Sequence, residues 1–238
     1  GYRAVLERLS GFEQNVRASS RLALPALAEQ AQGLTIEHLT VRRPDGQVLT
    51  ADLSLALPAG SALLIRGPSG SGKTTLLRTL AGLWPFSDGQ AARPQGSAGR
   101  LLSQRPSLPI GTLAEALAYP AEAASLDPAR AAQILEQVQL GHLARQLDLA
   151  QDWSQVLSPG EQQRLAFGRV LANRPAIVFL DEATSATDTG LEHGLYRLLR
   201  SGLPQTVLVS VGHRETLAAF HDQALTLARD GSWQLGAP

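Results

Sequence analysis

The chain has 238 residues, 44% of them hydrophobic, with 21 basic and 21 acidic side chains and neither cysteine nor methionine. That length holds one large domain or two small ones and can close a substantial core. Zero net charge without a basic stripe argues against a nucleic-acid partner, the missing cysteine excludes disulfides and thiolate metal sites, and no apolar run approaches the ~20 residues that cross a bilayer.

Tyr2, Val5, Leu6, Leu9, Phe12 and Val16 recur at helical steps, which predicts an amphipathic helix over 2–18. Residues 19–33, punctuated by Pro25 and Gly33, read as a connector. Position 1 is Gly1, so the natural protein is expected to begin earlier. Leu34–Val41 and Val48–Leu57 read as strands around the turn Arg43-Pro44-Asp45-Gly46. The apolar Ala62–Ile65 then leads into Gly67-Pro68-Ser69-Gly70-Ser71-Gly72-Lys73-Thr74, and Thr75–Leu80 follows in helical spacing.

That strand, glycine-rich turn and helix form a P-loop. Its backbone N–H groups converge on phosphate oxygens, its lysine reaches the outer phosphates and its hydroxyl holds a magnesium ion. Lys73 is the only lysine in the chain, against twenty arginines. Residues 82–97, with Trp84-Pro85, Asp88-Gly89, Pro94 and Gly96, read as a loop. Arg100–Ser103 is a short strand that ends at Gln104. From 110 to 150 the pattern is helical and alanine-rich, with Asp127-Pro128 as a helix start. A further helix covers 161–172. Ala176–Leu180 and Val207–Val211 are buried strands, and a hairpin around Asp230-Gly231 closes the chain. Strands alternating with helices predict an α/β fold with a mainly parallel sheet. The helices between about 105 and 160 interrupt that rhythm as an inserted subdomain.

Leu157-Ser158-Pro159-Gly160-Glu161 opens a helix with Ser158 as N-cap, proline next and glutamate third, a capping box. Such an N-terminus suits an anion, although it serves equally as a plain cap. The strand ending at Asp181-Glu182 delivers a carboxylate beside the P-loop magnesium and a second one able to deprotonate an attacking water. Gly212-His213 follows its own strand to the same sheet edge. Each feature alone has a bland explanation; their order along the chain is that of one nucleotide site.

These motifs resemble the ATP-binding domain of ABC transporters over about 34–235. The resemblance implies a P-loop NTPase core with a mainly parallel sheet, an antiparallel β subdomain and an inserted α-helical subdomain. It implies that ATP and Mg2+ bind Gly67, Pro68, Ser69, Gly70, Ser71, Gly72, Lys73, Thr74 and Thr75, with Thr74, Gln104 and Asp181 at the metal. Glu182 is then the catalytic glutamate, His213 the switch histidine, and Asp188 belongs to the D-loop. Ser158 and Gly160 would reach the nucleotide held by a second copy, because in that family two domains close on two ATP molecules. The helical subdomain and the Gln104 loop would touch a membrane permease.

Ala81-Gly82-Leu83-Trp84-Pro85, Gln104-Arg105-Pro106, Tyr119-Pro120 and Asp152-Trp153 are similar to the branch of peroxisomal fatty-acyl-CoA transporters and bacterial relatives. There the permease precedes the ATPase on one polypeptide. Residues 1–33 would then be a helix and linker after a missing transmembrane domain, with 34–238 the ATPase at the cytoplasmic face of a bacterial inner membrane. Arg43 departs from the aromatic that many ABC domains stack on adenine, and Pro159 and Glu161 replace the first glycine and the glutamine of the usual signature. A soluble ABC-type ATPase acting on DNA or ribosomes, or a regulatory module without turnover, are the alternative readings.

Overall fold

The computed structural model describes residues 27–30, 32–94 and 100–238. The helix expected over 2–18 lies outside them.

Two sheets carry the molecule. The larger has six strands in the order β12 (Trp233–Gly236), β11 (Gln223–Leu227), β4 (Ala62–Arg66), β10 (Val207–Val211), β9 (Ile177–Asp181) and β6 (Arg100–Ser103). All its pairings are parallel except β11 with β12. The smaller has the order β1 (Leu27–Gln30), β5 (Ser87–Pro94), β2 (Leu34–Arg42) and β3 (Val48–Leu57). There β2 runs antiparallel to both neighbours, and β1 is parallel to β5.

The central strands are apolar throughout because both faces are covered. Alternation sends Ala62, Leu64, Val178, Leu180 and Leu208 to one core, and Leu63, Ile65, Ile177, Phe179, Val207, Val209 and Val211 to the other. Helix α1 (Lys73–Leu80) fills the second core with Leu76, Leu77 and Leu80, together with Leu34, Ile36, Leu39 and Leu53 of the smaller sheet. The first core belongs to the helices: α2 (Leu113–Ala118), α3 (Pro128–Gln137), the single turn α4 (Trp153–Val156), the long α5 (Pro159–Asn173) and α6 (Thr189–Gly202).

The expected elements between 34 and 81 and between 100 and 235 are present, with differences of detail. Residues 87–94, read as loop, form β5. Its Asp-Gly and Pro content hides a strand that pairs with β2 across an irregularity between Glu37 and Thr40. A Cβ at Gly89 would collide with the His38 carbonyl oxygen, so only glycine lets the strands approach there. Part of the connector read over 19–33 is β1, whose partner β5 is some sixty residues away. The stretch 110–150 is helical but also contains β7 (Gly111–Thr112), paired with β8 (Ala150–Gln151). Helix α6, which periodicity did not mark, is interrupted in sequence by Gly190 and Gly194; Asp188 caps it by accepting from the Leu191 N–H at 2.9 Å.

The register fixes the site. Val211 lies opposite Ile65 on one side and Asp181 on the other, and Asp181 lies opposite Ser103. The residues that follow these strands (Gly67, Glu182, His213 and Gln104) therefore emerge along one edge. That carboxyl edge is where open parallel sheets bind ligands.

Candidate nucleotide site

The turn from β4 to α1 is possible only with glycine at its start. Gly67 has φ +141°, and a Cβ there would collide with the Leu227 carbonyl oxygen. Lys73 opens α1, and its Nζ donates to the carbonyls of Gly67 at 2.8 Å and Pro68 at 3.0 Å. Burial pulls its pKa below the ordinary lysine value, while Glu182 and Asp181 oppose that shift. The ammonium thus sits across the loop that joins β4 to α1, tied to its first two carbonyls.

Thr74 Oγ1 donates to Asp181 Oδ1 at 2.9 Å. Burial holds the Asp181 carboxyl above the usual aspartate range, against the Thr74 hydrogen bond, with nearby Glu182 adding to the rise. A hydroxyl and a carboxylate oxygen side by side are hard donors suited to magnesium, which takes one or two carboxylates and completes its shell with phosphates and water. Glu182 follows with φ +51°, held by its N–H to the Val211 carbonyl at 3.1 Å. That conformation is uncommon for a glutamate and turns its carboxylate to His213, whose Nε2 lies 2.8 Å from Oε1.

Lys73, Thr74, Glu182 and His213 line one cavity of about 480 Å³, while Gly67, Pro68, Ser71 and Asp181 form no part of its wall. Ser69, Gly70, Gly72, Lys73, Thr74 and Thr75 form one end, and Glu182 with His213 a side wall. Arg43, Pro44, Leu49 and Trp84 form the rest. Trp84 was not singled out as a site residue in the sequence: its indole N–H donates to the Arg42 carbonyl at 2.9 Å, a contact across 42 residues that no local pattern announces. Arg43 stands at the cavity, where its guanidinium could stack on a base.

The remaining candidates lie outside the cavity wall. Gln104 is exposed just past β6. Ser158 caps α5 in a full capping box: Glu161 Oε2 accepts from the Ser158 N–H at 2.9 Å and from its hydroxyl at 2.7 Å. Those bonds, the hydroxyl's first, hold the Glu161 carboxyl below its usual range. Gly160 faces the Ala186 carbonyl, and Asp188 is occupied as the cap of α6. Two residues outside the sequence reading buttress this region. Glu192 is buried, 2% exposed, beside Thr184 Oγ1 at 2.5 Å and Arg214 at 3.3 Å, and Gln163 joins three segments.

The family model for ABC transporters matches residues 50–185. The chain belongs to the ABC transporter family. An ABC transporter ATP-binding protein of Haemophilus influenzae is 46% identical over 227 residues, 95% of this chain and 38% of that protein. The human lysosomal cobalamin transporter ABCD4 is 39% identical, over 89% of this chain and 37% of its own length. ABC transporter D family member 1 of Arabidopsis thaliana is 36% identical, over 98% and 18%. The chain thus spans less than two-fifths of these curated relatives. Among solved structures, a bacterial Atm1-family ABC exporter with ATP bound superposes with a TM-score of 0.78 at 25% identity, over 99% of this chain and 45% of that one. The resemblance to ABC transporters, the D-subfamily likeness and the α/β fold are borne out, and the chain is an ABC transporter ATP-binding domain.

Proposed function

We propose that this chain hydrolyses ATP to drive movement of a substrate across a membrane, as one of two copies that enclose two nucleotides between them. The observation that carries the reading is a division of labour. Lys73, Thr74, Glu182 and His213 share a cavity, while Ser158, Gly160 and Asp188 of the same chain form no part of its wall. A site divided in this way is completed when a second copy brings the N-terminus of α5 to the first copy's phosphate loop.

In the closed pair, the loop from Gly67 to Thr75 wraps the phosphates with N–H groups, and Lys73 exchanges its loop carbonyls for outer phosphate oxygens. Glu182 takes a proton from a water as the water oxygen bonds to the terminal phosphorus and the bridging P–O bond breaks. In this structure His213 donates through Nε2 to Glu182, and in the closed pair it would turn that N–H to the terminal phosphate and hold it in line. Thr74 and Asp181, with Gln104 at the adjoining strand end, would hold magnesium, which neutralises charge on the outer phosphates. ATP favours closure because both halves contact it only there, and hydrolysis removes the preference.

The relatives are more than twice this chain's length, which leaves room for a permease on the same polypeptide; on this reading it precedes the ATPase. The helical subdomain offers exposed Ile110, Tyr119, Leu149 and Val156 for contact with it. Residues 1–33 would join the two parts, and the ATPase would lie at the cytoplasmic face of a bacterial inner membrane.

Glu182→Gln is expected to bind ATP, accumulate as a closed pair and hydrolyse about 10²–10⁴ times more slowly, the usual contribution of a general base. Lys73→Ala should lose nucleotide binding. Hydrolysis by the Glu182→Gln chain at the parent rate would refute the assignment.

A further inference from the structure

Gln163 lies on the first turns of α5, only 1% exposed. Its neighbour Gln162 makes local bonds, donating to the carbonyls of Ser154 and Leu157. Gln163 instead reaches two distant segments. Its Nε2 donates to the Gln104 carbonyl at 2.8 Å and to Ser185 Oγ at 3.2 Å, and its Oε1 accepts from the Ala186 N–H at 3.0 Å. A backbone carbonyl only accepts and a backbone N–H only donates, so this environment admits one orientation of the amide. Glutamine supplies that donor and acceptor without a change of protonation state.

The three segments serve different nucleotides on the proposed reading. Gln104 follows β6 beside Asp181, at the copy's own phosphate loop. Ser158 and Gly160 at the start of α5, and the turn Ser185–Ala186 ahead of Asp188, face the partner's. The helix and the turn are also in direct contact, since a Cβ at Gly160 would stand 3.1 Å from the Ala186 carbonyl oxygen.

We infer that Gln163 is a positioning residue that locks the strand end at Gln104, the turn at Ser185–Ala186 and the N-terminus of α5 into one body. The surfaces a copy offers to its partner's nucleotide then move with the strand end beside its own. This rests on the two-copy reading above. Coupling of this kind is carried by hydrogen-bonded networks between rigid elements. Gln163 touches no reacting atom; it sets the geometry of groups that do.

The substitution Gln163→Met removes both the donor and the acceptor at similar length and volume, and leaves the Gln104 carbonyl and the Ala186 N–H without this partner. In the full protein as the cell makes it, this variant should lower kcat for ATP about 10- to 100-fold, the scale of a small misplacement of reacting groups. The Kd for ADP, which binds the copy's own loop without an outer phosphate, should stay within about twofold, because uniform binding is untouched. The groups left without a partner should also lower the unfolding temperature by a few degrees, so kcat and Kd are compared at a temperature where both proteins are folded. Ser185→Ala, which removes one acceptor and leaves both backbone bonds, should cost about threefold in kcat.

A Gln163→Met protein with parent kcat overturns the inference. So does a parallel fall of kcat and ADP affinity in the folded variant, which would mark a plain folding contact, and so does a Ser185→Ala loss as large as that of Gln163→Met. A parent protein that hydrolyses no ATP at all sinks the functional reading first, and this inference with it; the parent control separates the two failures.

Discussion

Two histidines follow β10, eight residues apart, and the molecule uses them in opposite ways. His213 is 59% exposed and pairs with the Glu182 carboxylate at 2.8 Å. His221 is 6% exposed and pairs with uncharged groups: Ser210 Oγ at 2.8 Å through Nε2 and the Leu217 carbonyl at 2.7 Å through Nδ1. The carbonyl can only accept, so Nδ1 carries the proton and Nε2 accepts from the serine; the neutral ring satisfies both partners. Ser210 also hydrogen-bonds Tyr196, whose buried hydroxyl is held well above the usual phenol range by burial. An imidazole beside a carboxylate at a wet cleft can exchange protons with a substrate. One enclosed between a strand and a turn is architecture.

Exchanging each histidine for alanine should separate the two roles. His213→Ala is expected to slow ATP hydrolysis by about 100-fold, the lower range for acid–base groups. Its effect on stability should stay within about 0.5 kcal/mol, as for exposed positions. His221→Ala should do the reverse. It opens a cavity and leaves Ser210 short of a partner, which should cost about 2–4 kcal/mol in urea unfolding. Hydrolysis per folded molecule should hold at the parent level. Loss of activity without loss of stability in His221→Ala would break the comparison.

Acid sharpens it. Burial first, then Arg200 and Arg66, lower the His221 pKa from 6.5 to about 4, while the Leu217 carbonyl and Asp222 oppose them. The unfolded chain takes up the proton below 6.5, and the folded chain does so only near 4. This group's stabilisation is therefore complete above pH 6.5, declines as pH falls toward 4 and is flat beneath. The full decline is about 3 kcal/mol at 1.36 kcal/mol per pKa unit. Unfolding free energies measured between pH 7 and 4 in the parent and in His221→Leu should differ in slope over that window. Equal slopes would show that His221 titrates normally.

Residue type does not separate these two: each is a histidine just past a strand or turn with a charged residue next, Arg214 after one and Asp222 after the other. His213 was singled out because Gly212-His213 comes directly off an apolar strand in the right order after the P-loop and Asp181-Glu182. His221 went unremarked because its partners are Ser210, across a turn, and Tyr196, on α6. The same limit governs the fold. The β4 strand, P-loop, α5 cap and β9 strand were legible because periodicity, glycine and capping residues are local signals. Strand β5 was not, because its pairing with β2 depends on Gly89 fitting under the His38 carbonyl, and its composition otherwise spells a loop. The places of Trp84 at the cavity and of Gln163 between segments have no local signal for a related reason: each contributes through backbone groups more than twenty residues away.

His142 marks the weak end of the series. Its Nε2 lies 3.5 Å from Glu161 Oε1, and it is as exposed as His213. Exposure and a carboxylate partner alone would make it a second His213. Its partner differs, however: Glu161 is already engaged by the Ser158 N–H and hydroxyl through its other oxygen, inside a capping box that holds without the histidine. An exposed pair of this kind contributes about 0–1 kcal/mol and weakens with salt. His142→Ala should therefore change stability by less than about 1 kcal/mol. It should change hydrolysis by less than about threefold, an effect that fades on raising the salt concentration. A loss comparable to that of His213→Ala would mean that Glu161 depends on the imidazole to stay folded back on Ser158, and that the cap of α5 is set by charge pairing rather than by its own hydrogen bonds.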